Sequence, residues 1–477
     1  MLFNSFAYFV FLPLVVLLYF IFPQKWRNLI LLVASCYFYM FFIPVYVLIL
    51  GFTIVIDYFA GIYLEKFEGK QRRYFLIASI IANVGVLAFF KYYNFLNENL
   101  TVFILSLGFH NPFPDLGIAL PIGLSFHTFQ AMSYTIEVYR GNQKAERNFL
   151  TYALYVMFFP QLVAGPIERP QNMLHQFYEK HRFSMDRVIT GGKFIIWGLF
   201  KKVVIADRLA AYTNVVYGSP EQFGGTTHLL ATFFFAFQIY CDFSGYSDIA
   251  IGSAHILGFR LMQNFNLPYF ARSISDFWKR WHISLSTWFS DYLYKPMGGN
   301  RVPRYRWSIN ILTVFLVSGL WHGANWTYVI WGGLHGCYYL FEYIAGIIGR
   351  KTGLDRYLES SFLWKVVQNL YVFIAVLLAW VFFRARTVSD AFFIVFRMVT
   401  DFSSQLYLGS SAFETATSMA LIFLLLVVQL FQYNGVAAIY FNASRIPRPF
   451  RWAGYAFTVI LIGILGVSSE QFIYFQF

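Results

Sequence analysis

Apolar runs long enough to cross a bilayer recur from one end of this 477-residue chain to the other. A hydrocarbon core of ~30 Å takes ~20 apolar residues of helix. In lipid every backbone N–H and C=O must be satisfied within the segment, which leaves only helices and closed barrels. A barrel would read as alternating segments of ~10 residues, and the chain has no such alternation. Only 12% of its residues are charged, against about 25% in a soluble domain. The expectation is an all-α polytopic membrane protein with about 11–12 transmembrane helices, forming a single domain over 1–477.

The candidate spans are 6–22, 28–46, 47–64, 74–93, 119–137, 190–206, 228–252, 307–325, 326–347, 364–383, 415–435 and 452–469. No Lys or Arg precedes the first run, and Lys25 and Arg27 follow it. A cleaved leader has its basic residues in front, so the run reads as a retained span with its N-terminus outside. Basic residues collect on the cytoplasmic side, and most loops alternate accordingly: Lys66 to Arg73, Arg140 to Arg147, Arg260 to Arg306, Arg350 to Arg356 and Arg445 to Arg451 fall inside, while 96–118 has neither Lys nor Arg. Lys201, Lys202, Arg208, Arg384, Arg386 and Arg397 break the pattern. The same rule accounts for the net charge of +13 without nucleic acid as a partner; membrane lipid is the partner it implies.

Two stretches do not read as spans. Residues 149–167 are apolar, end at Gly165-Pro166 and have basic residues on both sides, which predicts a re-entrant segment whose backbone protein must bury. Residues 265–300 are too polar for lipid and too aromatic for a free loop, which predicts short helices at the cytoplasmic interface. Cys36, Cys241 and Cys337 are isolated, with no disulfide framework and no metal-ligand spacing.

The polar groups at membrane depth carry the chemistry, because an ionisable side chain there is expensive and marks a site by default. His282 stands in Trp278-Lys279-Arg280-Trp281-His282-Ile283-Ser284, and His322 in Trp321-His322-Gly323-Ala324-Asn325-Trp326. A lone histidine is often just a hydrogen-bonded interior residue. Two histidines, each following a tryptophan in a polar-aromatic cluster, favour a site. Imidazole titrates near ~6.5 and suits proton removal from a hydroxyl or thiol, and burial would keep it neutral. Asp242, Ser244, Ser247 and Asp248 interrupt an apolar run and read equally as a cavity lining or as small-residue helix packing. Lys279, Arg280, Lys295, Arg301, Arg304 and Arg306 surround His282. They fit either capture of a phosphate-bearing donor or attraction to anionic lipid, the latter strongest for Arg304 and Arg306. Leu120-Pro121-Ile122-Gly123 leads into His127, Thr128 and Gln130, which read first as a kinked helix with internal hydrogen bonds and second as a polar lining.

Taken in order, these stretches, with Tyr139-Arg140-Gly141, 159–169 and 198–208, resemble the membrane-bound O-acyltransferase family, and within it the bacterial branch concerned with alginate O-acetylation. The resemblance covers most of 1–385. It implies that His322 is the catalytic histidine, that His282 is a second functional position, and that a central tunnel is lined by groups such as Gln130, Asp242, Ser244, Asp248 and Asn325. It further implies a cytoplasmic thioester donor, commonly acetyl-CoA, with no tightly bound cofactor and no metal. The acceptor would be an extracytoplasmic polysaccharide, reached through a separate periplasmic SGNH-type acetyltransferase. Tyr294-Lys295-Pro296-Met297-Gly298-Gly299-Asn300-Arg301 is closer to the polysaccharide and peptidoglycan acetylation branch than to teichoic-acid D-alanylation. A transporter or flippase would explain the spans, but often brings internal symmetry and leaves both histidines without a task. The end Phe472-Ile473-Tyr474-Phe475-Gln476-Phe477 reads as an interfacial anchor, as a tail docking into the tunnel mouth, or as the carrier of an acyl relay on Tyr474.

Overall fold

The computed structural model describes residues 1–118, 120–353, 361–402, 405–434, 447–467 and 472. It is a helical membrane protein, with no strand among the described residues. The Tyr46–Lys66, Gly69–Ser106, Phe362–Arg384 and Ala412–Tyr433 helices are each long and apolar enough to cross a bilayer, and Phe6–Ile21 is a shorter apolar helix. The chain divides into two compact units, one of residues 1–195 and 246–263, the other of 196–245 and 264–477.

In the first unit, the Tyr46–Lys66, Gly69–Leu87 and Leu124–Arg140 helices pack on one another around a buried polar seam. Asp57 accepts from Ser79 Oγ at 2.6 Å and from Asn83 Nδ2 at 2.9 and 2.8 Å. One turn earlier, Thr53 meets His127 Nε2 at 2.6 Å. His127 is thus bonded inside the bundle, as the first of its two readings expects. Pro121 and Gly123 do not kink a span: Gly123, at φ 78°, caps the helix that starts at Leu124. The 149–167 stretch is broken as expected. The Phe149–Met157 helix stops at Phe158, where the backbone turns extended, and Phe159–Leu162 restarts with Pro160 in its first turn. Every side chain from Thr151 to Glu168 is buried, so protein covers this non-helical backbone.

In the second unit, the Arg304–His322 and Trp326–Thr352 helices form the tightest helix pair. A Cβ on Gly319 would overlap the Tyr328 carbonyl oxygen, and one on Gly332 would overlap that of Phe315. Only glycine permits that backbone approach. Residues 265–300 are short helices as expected, Ile274–Arg280 and Ile283–Phe289 followed by a single π turn, Ser290–Tyr294. The Val388–Thr400 helix has no counterpart among the expected spans; a reciprocal capping box of Thr387 and Asp390 starts it.

Five of the basic residues that broke the charge pattern, all but Arg386, have side-chain partners within this unit. Lys202 Nζ lies 2.7 Å from both Asp207 and Asp242, with all three buried. Lys201 Nζ donates to Ser244 Oγ at 2.9 Å. Arg208 pairs with Glu414 and donates to the Leu465 carbonyl. Arg384 donates to Asn214 at 2.7 Å, and Arg397 lies 3.2 Å from Asp401.

Candidate functional site

The second unit brings His282 and His322 together. His322 ends the Arg304–His322 helix, and the chain then turns extended at Gly323. The Tyr328 ring fills the space a Cβ on Gly323 would need, which is the local reason a glycine follows the histidine. Asn325 caps the next helix by accepting from Thr327 N at 3.0 Å, and its amide donates to the Arg386 carbonyl at 3.0 Å. Its polar atoms hold the turn that carries His322.

His282 is held differently. Its backbone is left-handed, at φ 45° and ψ 54°, a conformation that only Leu267 shares among the described non-glycine residues. Such a backbone costs of order 1–3 kcal/mol and persists only where the surroundings over-determine it. The surroundings here are Asn264 and the helix that follows. Ile283 N donates to the Asn264 carbonyl at 3.0 Å, while Ser284 N and Oγ donate to Asn264 Oδ1 at 3.2 and 2.9 Å. The His282 carbonyl starts the Ile283–Phe289 helix by accepting from Leu285 and Ser286. Neither Asn264 nor this backbone was visible in the motif, because a left-handed histidine leaves no signature in sequence.

The two rings lie 6.4 Å apart, centroid to centroid, at 82°. His282 is fully buried and His322 is 4% exposed. Aromatic rings wall both: Trp321, Trp331 and Phe383 stand 5.0, 5.0 and 5.4 Å from His322, and Phe243 stands 4.7 Å from His282. Burial pulls the His282 imidazole down to about 3, so its ring is neutral and can both donate and accept a hydrogen bond. A neutral His282 imidazole beside a second buried imidazole suits proton removal from a hydroxyl and support of a developing oxyanion.

The other expected positions distribute unevenly. Lys279 and Arg280 close the Ile274–Arg280 helix, Lys279 exposed and Arg280 bonded through Nε to Asp276 at 2.8 Å. Asp242 and Ser244 are engaged by Lys202 and Lys201, so they belong to a buried charge cluster. Gln130, in the first unit, donates to the Tyr155 carbonyl at 2.6 Å. Asp248, also in that unit, is half-buried. Tyr474 falls outside the described residues. Phe472, two positions before it, is buried, with its ring 5.8 Å from Phe243. No group of three His, Cys, Asp or Glu side chains able to hold a metal occurs among the described residues.

The family model of the membrane-bound O-acyltransferases matches residues 16–383. The chain belongs to the membrane-bound O-acyltransferase family. It is an O-acyltransferase, and both histidines lie inside the matched region. Among its relatives is a protein of Azotobacter vinelandii named probable alginate O-acetylase AlgI, 39% identical over 82% of this chain and 76% of the relative. A peptidoglycan O-acetyltransferase of Helicobacter pylori is 38% identical over 84% of this chain and 80% of the relative. A teichoic acid D-alanyltransferase of Bacillus subtilis is 29% identical over 46% of this chain and 59% of the relative.

Proposed function

We propose that this enzyme takes an acetyl group from acetyl-CoA at the cytoplasmic face of a bacterial inner membrane, with its own N-terminus outside, and passes it outward for O-acetylation of an extracytoplasmic polysaccharide, alginate-like or peptidoglycan. The observation that carries the reading is the convergence of His282 and His322 in one buried aromatic site of an O-acyltransferase. His322 removes the proton from the accepting hydroxyl, and the oxygen attacks the thioester carbonyl. His282, held neutral, hydrogen-bonds the oxygen on which charge develops. The tetrahedral intermediate collapses with cleavage of the C–S bond, and the proton taken by His322 returns to the leaving thiolate, so the ester and free CoA–SH balance the donor and acceptor.

Lys279 and Arg280 serve the phosphates of the donor. A periplasmic SGNH-type acetyltransferase, a separate polypeptide, completes delivery to the polymer, and Tyr474 is the candidate hydroxyl for an intermediate acyl ester. Acetyl is favoured over D-alanyl by the broad overlap with the two acetylating relatives, against the shorter overlap with the D-alanylating one. Purified protein in lipid nanodiscs, supplied with radiolabelled acetyl-CoA, should release free CoA. His322→Ala should fold and lose ~10²–10⁴-fold in rate, the usual worth of a general base. A folded His322→Ala variant that keeps near-wild-type transfer would overturn the assignment.

A further inference from the structure

His335 is a third buried histidine in the second unit, and neither the motif nor the proposed mechanism uses it. It is fully buried in the Trp326–Thr352 helix, and neither of its ring nitrogens has a hydrogen-bond partner among the described residues. Trp278 and Trp331 share that property: both indole N–H groups are buried without a partner there. The three rings are mutual neighbours. His335 stands 5.0 Å from Trp278 and 5.0 Å from Trp331, and the two indoles stand 5.7 Å apart. A buried polar atom left unmade is costly, and each such group asks for an explanation. Three neighbouring rings with four such nitrogens ask for one that involves a polar guest.

Their position says which guest. Trp278 immediately precedes Lys279 and Arg280 on the Ile274–Arg280 helix. At the other end of the cluster, Trp331 lies 5.0 Å from His322. The sequence of surfaces therefore runs from the exposed Lys279 and half-buried Arg280, through aromatic walls bearing N–H donors, to the catalytic imidazole. A coenzyme thioester has the same sequence: phosphates, a slender apolar arm interrupted by two amides, and the reacting sulfur. Indole N–H groups donate to amide carbonyls, and a neutral imidazole can donate to a carbonyl or accept from an amide N–H. We infer that Trp278, Trp331 and His335 form the subsite that recognises the amides of the donor's pantetheine arm. The inference rests on the reading of a CoA thioester as donor.

The test compares two acetyl thioesters in the purified, membrane-reconstituted enzyme: acetyl-pantetheine, which has both amides, and S-acetyl-mercaptoethanol, which has none. The readout is the ratio of their kcat/KM values, with free thiol release as the assay. Trp278→Phe and His335→Phe keep an aromatic ring and remove the nitrogens. Each should lower the ratio about tenfold, chiefly through KM for acetyl-pantetheine, because the preference for the amide-bearing arm is lost. A ratio equal to wild type in both variants, whether or not both rates fall together, would make the cluster a packing feature and overturn the inference. Absence of turnover of acetyl-CoA itself by the wild-type enzyme would instead overturn the donor reading, and this subsite with it.

Discussion

Both carboxylate oxygens of Glu342 accept the backbone N–H of Ile274, at 2.7 and 2.8 Å. One side chain of the Trp326–Thr352 helix thereby caps the short helix that carries Lys279 and Arg280 and leads into His282. His322 stands just before that longer helix, so the bond ties the two histidine-bearing segments to one another. Glu342→Ala should lower the melting temperature by an amount corresponding to about 1 kcal/mol, the usual worth of a lost cap. It should also reduce turnover more than it changes donor KM, since the geometry around His282 loosens. A variant that melts early but turns over normally would show the cap to be purely structural.

Lys279 and Arg280 differ from the histidines in being accessible to the cytoplasmic solution under the proposed topology. Lys279→Ala combined with Arg280→Ala should raise the apparent KM for acetyl-CoA severalfold, with a smaller effect on kcat. The effect should shrink as salt is added, because exposed charge pairs are screened within a Debye length of ~10 Å at 0.1 M. An unchanged KM at low salt would remove them from the donor's path.

Lys202 sits between two buried carboxylates. Lys202→Met would leave Asp207 and Asp242 without their cation, and breaking a buried pair in this way costs about 3–5 kcal/mol. The single variant should express poorly in folded form. The triple variant Lys202→Met, Asp207→Asn, Asp242→Asn should recover much of the loss, as read by size-exclusion profile and thermal melting in detergent. Recovery of fold without recovery of acyl transfer would give the cluster a functional role as well.

Tyr474 can be separated from the segment around it. Tyr474→Phe keeps the ring and removes the only nucleophile. If the hydroxyl relays the acyl group, this variant should lose the single round of CoA release that accompanies acylation of Tyr474, and with it transfer to the polymer. Full polymer acetylation in Tyr474→Phe, with loss on deletion of residues 472–477, would reject the relay and leave the tail as an anchor or docking element.

Hydropathy alone made the long apolar helices legible, because a span must satisfy its own backbone and advertises itself by length, whereas the shorter Val388–Thr400 helix escaped it. The break at Phe158 was legible too, through Pro160 and Gly165. Charge patterning left Lys202 and Arg208 as exceptions, since it counts a basic residue without seeing the acids, Asp242 and Glu414 among them, that pair with it. His282 and His322 were legible as chemistry but not as neighbours. Their meeting depends on the left-handed turn at His282 and on Asn264, eighteen residues upstream, neither of which follows a periodicity. Asp242 and Ser244 were read equally as cavity lining and as helix packing, and their lysine partners, Lys202 and Lys201, left no trace in that reading. His335 went unnoticed because it stands alone in an apolar helix, where a single histidine carries little signal.

The glycine seam between the Arg304–His322 and Trp326–Thr352 helices has a consequence for His322. With Gly319 against the Tyr328 carbonyl and Gly332 against that of Phe315, any side chain at either position would drive the two backbones apart. The placement of His322 therefore hangs on two residues that no imidazole chemistry involves: Gly319→Ala or Gly332→Ala would move the hairpin that presents the ring without touching the ring itself.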